Sequence, residues 1–117
     1  MAVAVVSTTE TLVGANDATP TFNMPATRPD GDLYLLFAIA DGTQGAGLTF
    51  TGWNAISGGV ADEGTVFTKT FWRLGSSEPA SYTGAGPSEE YIFYVVRVSG
   101  ADTTTPLDNA ATTTGAM

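Results

Sequence analysis

Leu33-Tyr34-Leu35-Leu36-Phe37-Ala38-Ile39-Ala40 is an unbroken apolar run set between two turn signals. Arg28-Pro29-Asp30-Gly31-Asp32 precedes it, where proline presets φ and Asp-Gly accepts the positive φ of a tight reversal. Asp41-Gly42 follows it. A run this short, bounded this way, fits a buried strand, and its lack of polar alternation predicts a central strand with protein on both faces.

Working outward, other short runs rich in Thr, Val, Phe and Tyr are separated by Gly, Pro, Asp and Ser, and helical periodicity is sustained nowhere. The chain is therefore all-β. A first strand is expected over Ala2 to Ser7, and an edge strand near Thr19 to Met24 because Pro20 and Pro25 bound it. Leu48-Thr49-Phe50 and Gly52-Trp53-Asn54-Ala55-Ile56-Ser57 read as short strands or strand edges, and Glu90 to Val98 as the last strong strand. From Thr65 to Leu74 the alternation is clear. Val66, Thr68, Thr70, Trp72 and Leu74 share one face, and Phe67, Lys69, Phe71 and Arg73 share the other. Two cations beside two aromatics imply that this second face is only partly buried, with long stems over rings.

The 117 residues suffice for one hydrophobic core, so residues 1–117 are read as a single domain, with Ser99 to Met117 a polar Thr/Ala-rich tail. A net charge of -8, from 12 acidic and 4 basic residues, repels a phosphate backbone and excludes nucleic acid as a partner. With no Cys, neither disulfides nor thiolate metal sites are available. The opening Met1-Ala2-Val3-Ala4-Val5-Val6 is too short to span a bilayer and lacks a basic segment before it, so it reads as a strand, and no membrane partner is expected. A mean hydropathy of +0.10 leaves surplus apolar surface, which points to a homo-oligomer.

The absence of His and Cys removes the imidazole and thiolate routes to catalysis. Asp62 with Glu63, or Glu89 with Glu90, are candidate carboxylate pairs, but neighbours on a strand point to opposite faces and do not flank one bond. Asp30-Gly31-Asp32 and Asp41-Gly42 cap the ends of the central strand; a turn role explains them without calcium. Gly42, Gly45 and Gly47 are followed by neither Lys nor a helix, so they read as a flexible or interface loop and not a phosphate cradle. Trp53, Trp72, Tyr82, Tyr91 and Tyr94 are either a sugar-stacking platform or core, with Gly52 a bend that lets the Trp53 indole enter the core. Arg73 and Arg97, within strands, are expected to be paired or at an interface. Trp53, Trp72, Arg73 and Tyr82 are the candidate interface or glycan contacts. No catalytic residue, cofactor or metal site is assigned.

Gly31-Asp32-Leu33, Gly52-Trp53, Glu78-Pro79-Ala80-Ser81-Tyr82-Thr83 and Gly100-Ala101-Asp102-Thr103-Thr104-Thr105-Pro106-Leu107-Asp108 occur in that order. In this order the chain, over about residues 30 to 108, resembles a β-sandwich family of tailed-phage virion proteins. The resemblance implies an antiparallel β-sandwich, jelly-roll or immunoglobulin-like, that a neighbouring subunit completes, since family members carry further strands after the Pro-hydrophobic-Asp segment. It also implies a non-enzymatic role, first as a capsid decoration or cement protein on the outer capsid surface. The alternatives are a tail or head fibre component, or an adhesive module contacting host glycans. The expected partners are the major capsid protein and further copies of the chain, as a trimer at capsid three-fold positions. The expected location is the virion, after synthesis in the host cytoplasm.

Overall fold

The computed structural model describes residues 2–42, 47–62 and 65–107. The middle of the Gly42–Gly47 loop, Glu63 of the first carboxylate pair, and the tail from Asp108 onward lie outside the described residues. The strands are β1 (Ala4–Asp17), β2 (Thr21–Asn23), β3 (Leu33–Asp41), β4 (Asn54–Asp62), β5 (Val66–Leu74), β6 (Ser81–Thr83) and β7 (Glu89–Ser99). They form a five-stranded sheet in the order β1-β7-β3-β5-β4 and a two-stranded sheet of β2 and β6, and every pairing is antiparallel. The two packed sheets make a lopsided β-sandwich.

The Leu33–Ala40 run is indeed central, hydrogen-bonded to β5 on one side and β7 on the other, with Leu36 opposite both Phe71 and Val95. Its turn is formed as expected, Gly31 lying at φ +85°. Tyr34, Leu36, Ala38 and Ala40 point to one face, where they meet Phe67 and Phe71 of β5 and Tyr91, Phe93 and Val95 of β7. The small sheet caps that face with Phe22, and Leu48, Phe50 and Trp53 from the segment before β4 fill the gap beside it. Gly52 turns the chain at φ +85° and delivers Trp53 into this core. Each large apolar side chain fully enclosed here contributes about 1.5–3 kcal/mol.

Three expectations need correction. The apolar run predicted cover on both faces of β3, yet no other strand packs on the second face among the described residues. Phe37 there is 38% exposed. The β5 face carrying Phe67, Lys69, Phe71 and Arg73 is the core side and not a partly buried surface: Phe67 and Phe71 are enclosed and Lys69 is 8% exposed. The reason is that the cations find internal acceptors, while their stems do lie near rings as expected, Lys69 over Phe71 and Arg73 over Trp53 and Tyr82. Finally, β1 runs to Asp17, far beyond Ser7, because Thr8, Thr9, Thr11 and Val13 supply β-branched side chains along β7.

Candidate functional site

Among the described residues, the face of the large sheet turned away from the core is not covered by another strand. Cross-strand partners share a face, so the registers lay it out in transverse rows. The first is Val5, Val98, Leu33 and Leu74; the second contains Val96, Leu35 and Trp72. The third is Glu10, Tyr94, Phe37 and Thr70, and the fourth Leu12, Ile92, Ile39 and Thr68. Leu33 and Val98 are buried at one end, whereas Leu12, Phe37 and Val66 are exposed and the others mostly half-buried. At the far end Leu12, Ile39, Val66 and Ile92 line a hollow of about 230 Å³ whose rim carries Asp41 and Glu90. The Glu90 amide donates to Asp41 Oδ1 at 3.1 Å. Tyr94 is hydrogen-bonded to Glu10, which raises its phenol above the ordinary range.

All four cations of the chain are committed elsewhere. Arg28 Nη1 donates to the carbonyls of Pro25 and Ala26 and its Nε to that of Glu78, and Lys69 Nζ donates to the Leu48 carbonyl at 2.7 Å. Arg73 pairs with Glu78 at 2.8 Å, and Arg97 with Asp32 at 2.7 Å. The expectation of paired strand arginines therefore holds. Among the described residues, charge on the open face is left to the carboxylates Glu10, Asp41 and Glu90.

The four candidate contact residues divide between two places. Trp53, Arg73 and Tyr82 join in one cluster at the rim between the sheets. Trp53 is 8% exposed and meets Phe22 and Tyr82 edge to face at 5.5 and 5.4 Å. Tyr82 stacks on Phe22, and the Arg73 guanidinium lies 5.9 Å from the Trp53 ring and 5.5 Å from the Tyr82 ring. Trp72 stands on the opposite, open face of the sheet, which follows from its being the strand neighbour of Arg73. Of the wider aromatic set, Tyr91 is core and Tyr94 is on the open face.

Glu78 escaped the sequence reading. Its side chain is fully enclosed, accepting from Tyr82 OH at 2.7 Å and from the Ser76 amide at 3.2 Å as well as pairing with Arg73. The one available signal was an acid just before Pro79, in a chain with few charges. The acids that cap the ends of the central strand have partners within the protein: Asp30 accepts from the Ser77 amide, Asp32 pairs with Arg97, and Asp41 accepts from the Glu90 amide. Among the described residues no group of three or more potential ligands gathers to hold a metal ion.

Burial raises the Tyr82 and Tyr91 phenols to about 12, with Glu78 hydrogen-bonded to Tyr82 and the Glu89 charge near Tyr91 adding to the effect. Because the folded state favours the protonated phenols, their contribution is complete below the ordinary phenol range and is lost as pH rises through about 12. Denaturant midpoints should hold to about pH 10 and then fall. The fall should be shallower in Tyr82→Phe and Tyr91→Phe. A midpoint that stays level in the wild type up to about pH 12 would refute this.

In comparisons with known proteins, no family model, no curated protein and no solved structure matches this chain.

Proposed function

We propose that this chain is a non-enzymatic structural component of a tailed-phage virion, a decoration protein held on the outside of the capsid, and that its open sheet face is an assembly surface. The observation that carries the reading is that face itself: a strand register of mainly apolar side chains that no other strand covers among the described residues. Apolar patches of this extent on small domains mark association surfaces. Two further features agree with it. The order of the Gly-Asp-Leu, Gly-Trp, Glu-Pro-Ala-Ser-Tyr-Thr and Gly-Ala-Asp-Thr-Thr-Thr-Pro-Leu-Asp segments resembles that of phage virion sandwiches. A small domain repeated over a lattice also turns modest contacts into firm attachment through multivalency.

The test is the copy number of the chain relative to the major capsid protein in purified particles, by quantitative mass spectrometry. A ratio within a few-fold of the capsid protein is expected, and particles lacking the chain should lose heat and osmotic resistance. A few copies per particle would move the protein to the tail or fibres and overturn the decoration role. Absence from particles would overturn the virion reading.

A further inference from the structure

We infer that the open face of the five-stranded sheet is covered by the same face of a second copy of this chain, related by a two-fold axis. The axis lies between the sheets and runs across the strands. The inference rests on the reading of this face as an assembly surface, and it names the occupant. The product is a four-layered dimer, with the two large sheets inside and the two β2–β6 sheets outside.

The area approaches what a dimer needs, with Leu33 and Val98 at the neutral end already enclosed within the chain. Five strands about 4.8 Å apart, each presenting about nine residues at about 3.3 Å, offer a face of roughly 700 Å². A stable interface of standard size needs about 800 Å² per partner, so the face is nearly the whole of one. Two twisted antiparallel sheets pack with their strands roughly aligned and about 10 Å apart, the arrangement that a sheet makes with its own copy. An isologous contact requires that a surface complement itself, and rows that are mainly apolar meet this condition without any specific pairing.

Charge sets the direction of the axis. The neutral end of the face, from Leu35, Trp72 and Val96 to Leu33, Leu74 and Val98, carries no ionisable acid or base, and the middle row carries one acid, Glu10 on the edge strand β1. The acids Asp41 and Glu90 lie together at the other end. An axis along the strands would stack these carboxylates on their own copies. An axis across the strands instead sends the acidic end of one copy over the neutral end of the other, and leaves only Glu10, exposed on the edge strand β1, opposite its own copy. The acid pairs then sit roughly a strand length of about 30 Å apart, well beyond the screening length of about 8 Å. Phe37, in the middle of the middle strand, falls close to this axis and meets its own copy, the central aromatic position where binding energy concentrates.

The sheet edges are less suited to joining copies. β1 has register shifts between Val5 and Ser7 and between Val13 and Asp17, and β4 has one between Ala55 and Val60. Irregularities of this kind turn an edge away from strand addition. Cations that would give a partner copy something to pair with the rim acids are all held internally. The contact is thus driven by apolar burial, and a pair replaces the trimer that only the family resemblance had implied.

Sedimentation velocity on the purified full chain across the micromolar range decides the matter. The wild type is expected to run as a dimer at the upper end. Phe37→Lys, which places a charge on the axis, should weaken dimerisation by roughly thirtyfold or more. Thr70→Lys, its half-buried cross-strand neighbour, should do the same and covers the case in which Phe37→Lys fails to fold, with circular dichroism confirming the fold of each variant. A wild type that stays monomeric throughout overturns the inference, as does a dimer that survives in a folded variant. Either result leaves the virion copy number untouched, so failure of the pairing and failure of the decoration role are told apart.

Discussion

Phe22→Ala should lower the stability of the chain by about 3–5 kcal/mol, a large part of the 5–15 kcal/mol that domains possess. Phe22 is the middle residue of a three-residue strand and is fully enclosed. Its ring lies 4.9 Å from that of Phe50, 5.5 Å from Trp53, and 5.6 Å from both Tyr82 and Phe93. It therefore joins the small sheet, the segment before β4 and the large sheet at one point. The small sheet is held as well by Met24 in the core, by Tyr82 against Trp53 and Glu78, and by the Asn23 amide donating to Thr11 Oγ1 of β1. The cavity left by alanine would be lined by aromatic rings that share edges with one another and relax poorly. Equilibrium denaturation would read the loss, together with a red shift of Trp53 fluorescence as water reaches the indole. The control is Phe37→Ala in the Thr70→Lys background, where the face stays open and the cost should be under about 1 kcal/mol. Similar costs at the two positions would mean that the sheet is covered on both sides and would sink the one-sided description.

The contrast between Phe22 and Phe37 also shows how far the sequence could be read. Strands whose own residues carry the pattern were legible: the central position of β3, the alternation of β5, and β7. Their evidence is local, within one apolar run or one period of two. β6 was not foreseen, because Ser81-Tyr82-Thr83 is too short to show a period and its partner Thr21-Phe22-Asn23 lies some sixty residues away in the chain. Period two says which side chains share a face, but not which face the rest of the chain covers. On β5 the assignment went the wrong way because Lys69 and Arg73 suggest water. Their acceptors, the Leu48 carbonyl and Glu78, are brought by other segments. The same limit hid the Glu78 cluster. Asp32 and Arg97 were each noticed, yet nothing local joins residues 65 positions apart. Of the candidate contacts, the alternation of β5 by itself separates Trp72 from Arg73, since consecutive strand residues face opposite ways.

Glu78→Ala is expected to cost about 3 kcal/mol, the lower end of the range for breaking a buried ion pair. The carboxylate is wholly enclosed, while its partner Arg73 keeps 19% of its side-chain surface in water and recovers part of its hydration when left alone. That asymmetry ranks the variants. Arg73→Met leaves the enclosed carboxylate without its counter-charge and should be the more damaging single change. Glu78→Gln keeps an acceptor for Tyr82 OH and should be the mildest of the three. In a double-mutant cycle, Glu78→Gln with Arg73→Met should cost less than the two single changes together, with a coupling of about 0.5–3 kcal/mol. Strictly additive costs would mean that the 2.8 Å pair stores no mutual energy and that the cluster is held by its rings alone. Tyrosinate absorbance offers an independent reading of the same contact. Burial is the main reason that the Tyr82 phenol sits at about 12, and the hydrogen bond and charge of Glu78 supply the rest. Glu78→Gln should therefore lower the pH at which Tyr82 ionises while leaving Tyr91, which donates to the Pro87 carbonyl, unchanged. If both phenols moved together, the cause would be a loosened core and not the loss of one carboxylate.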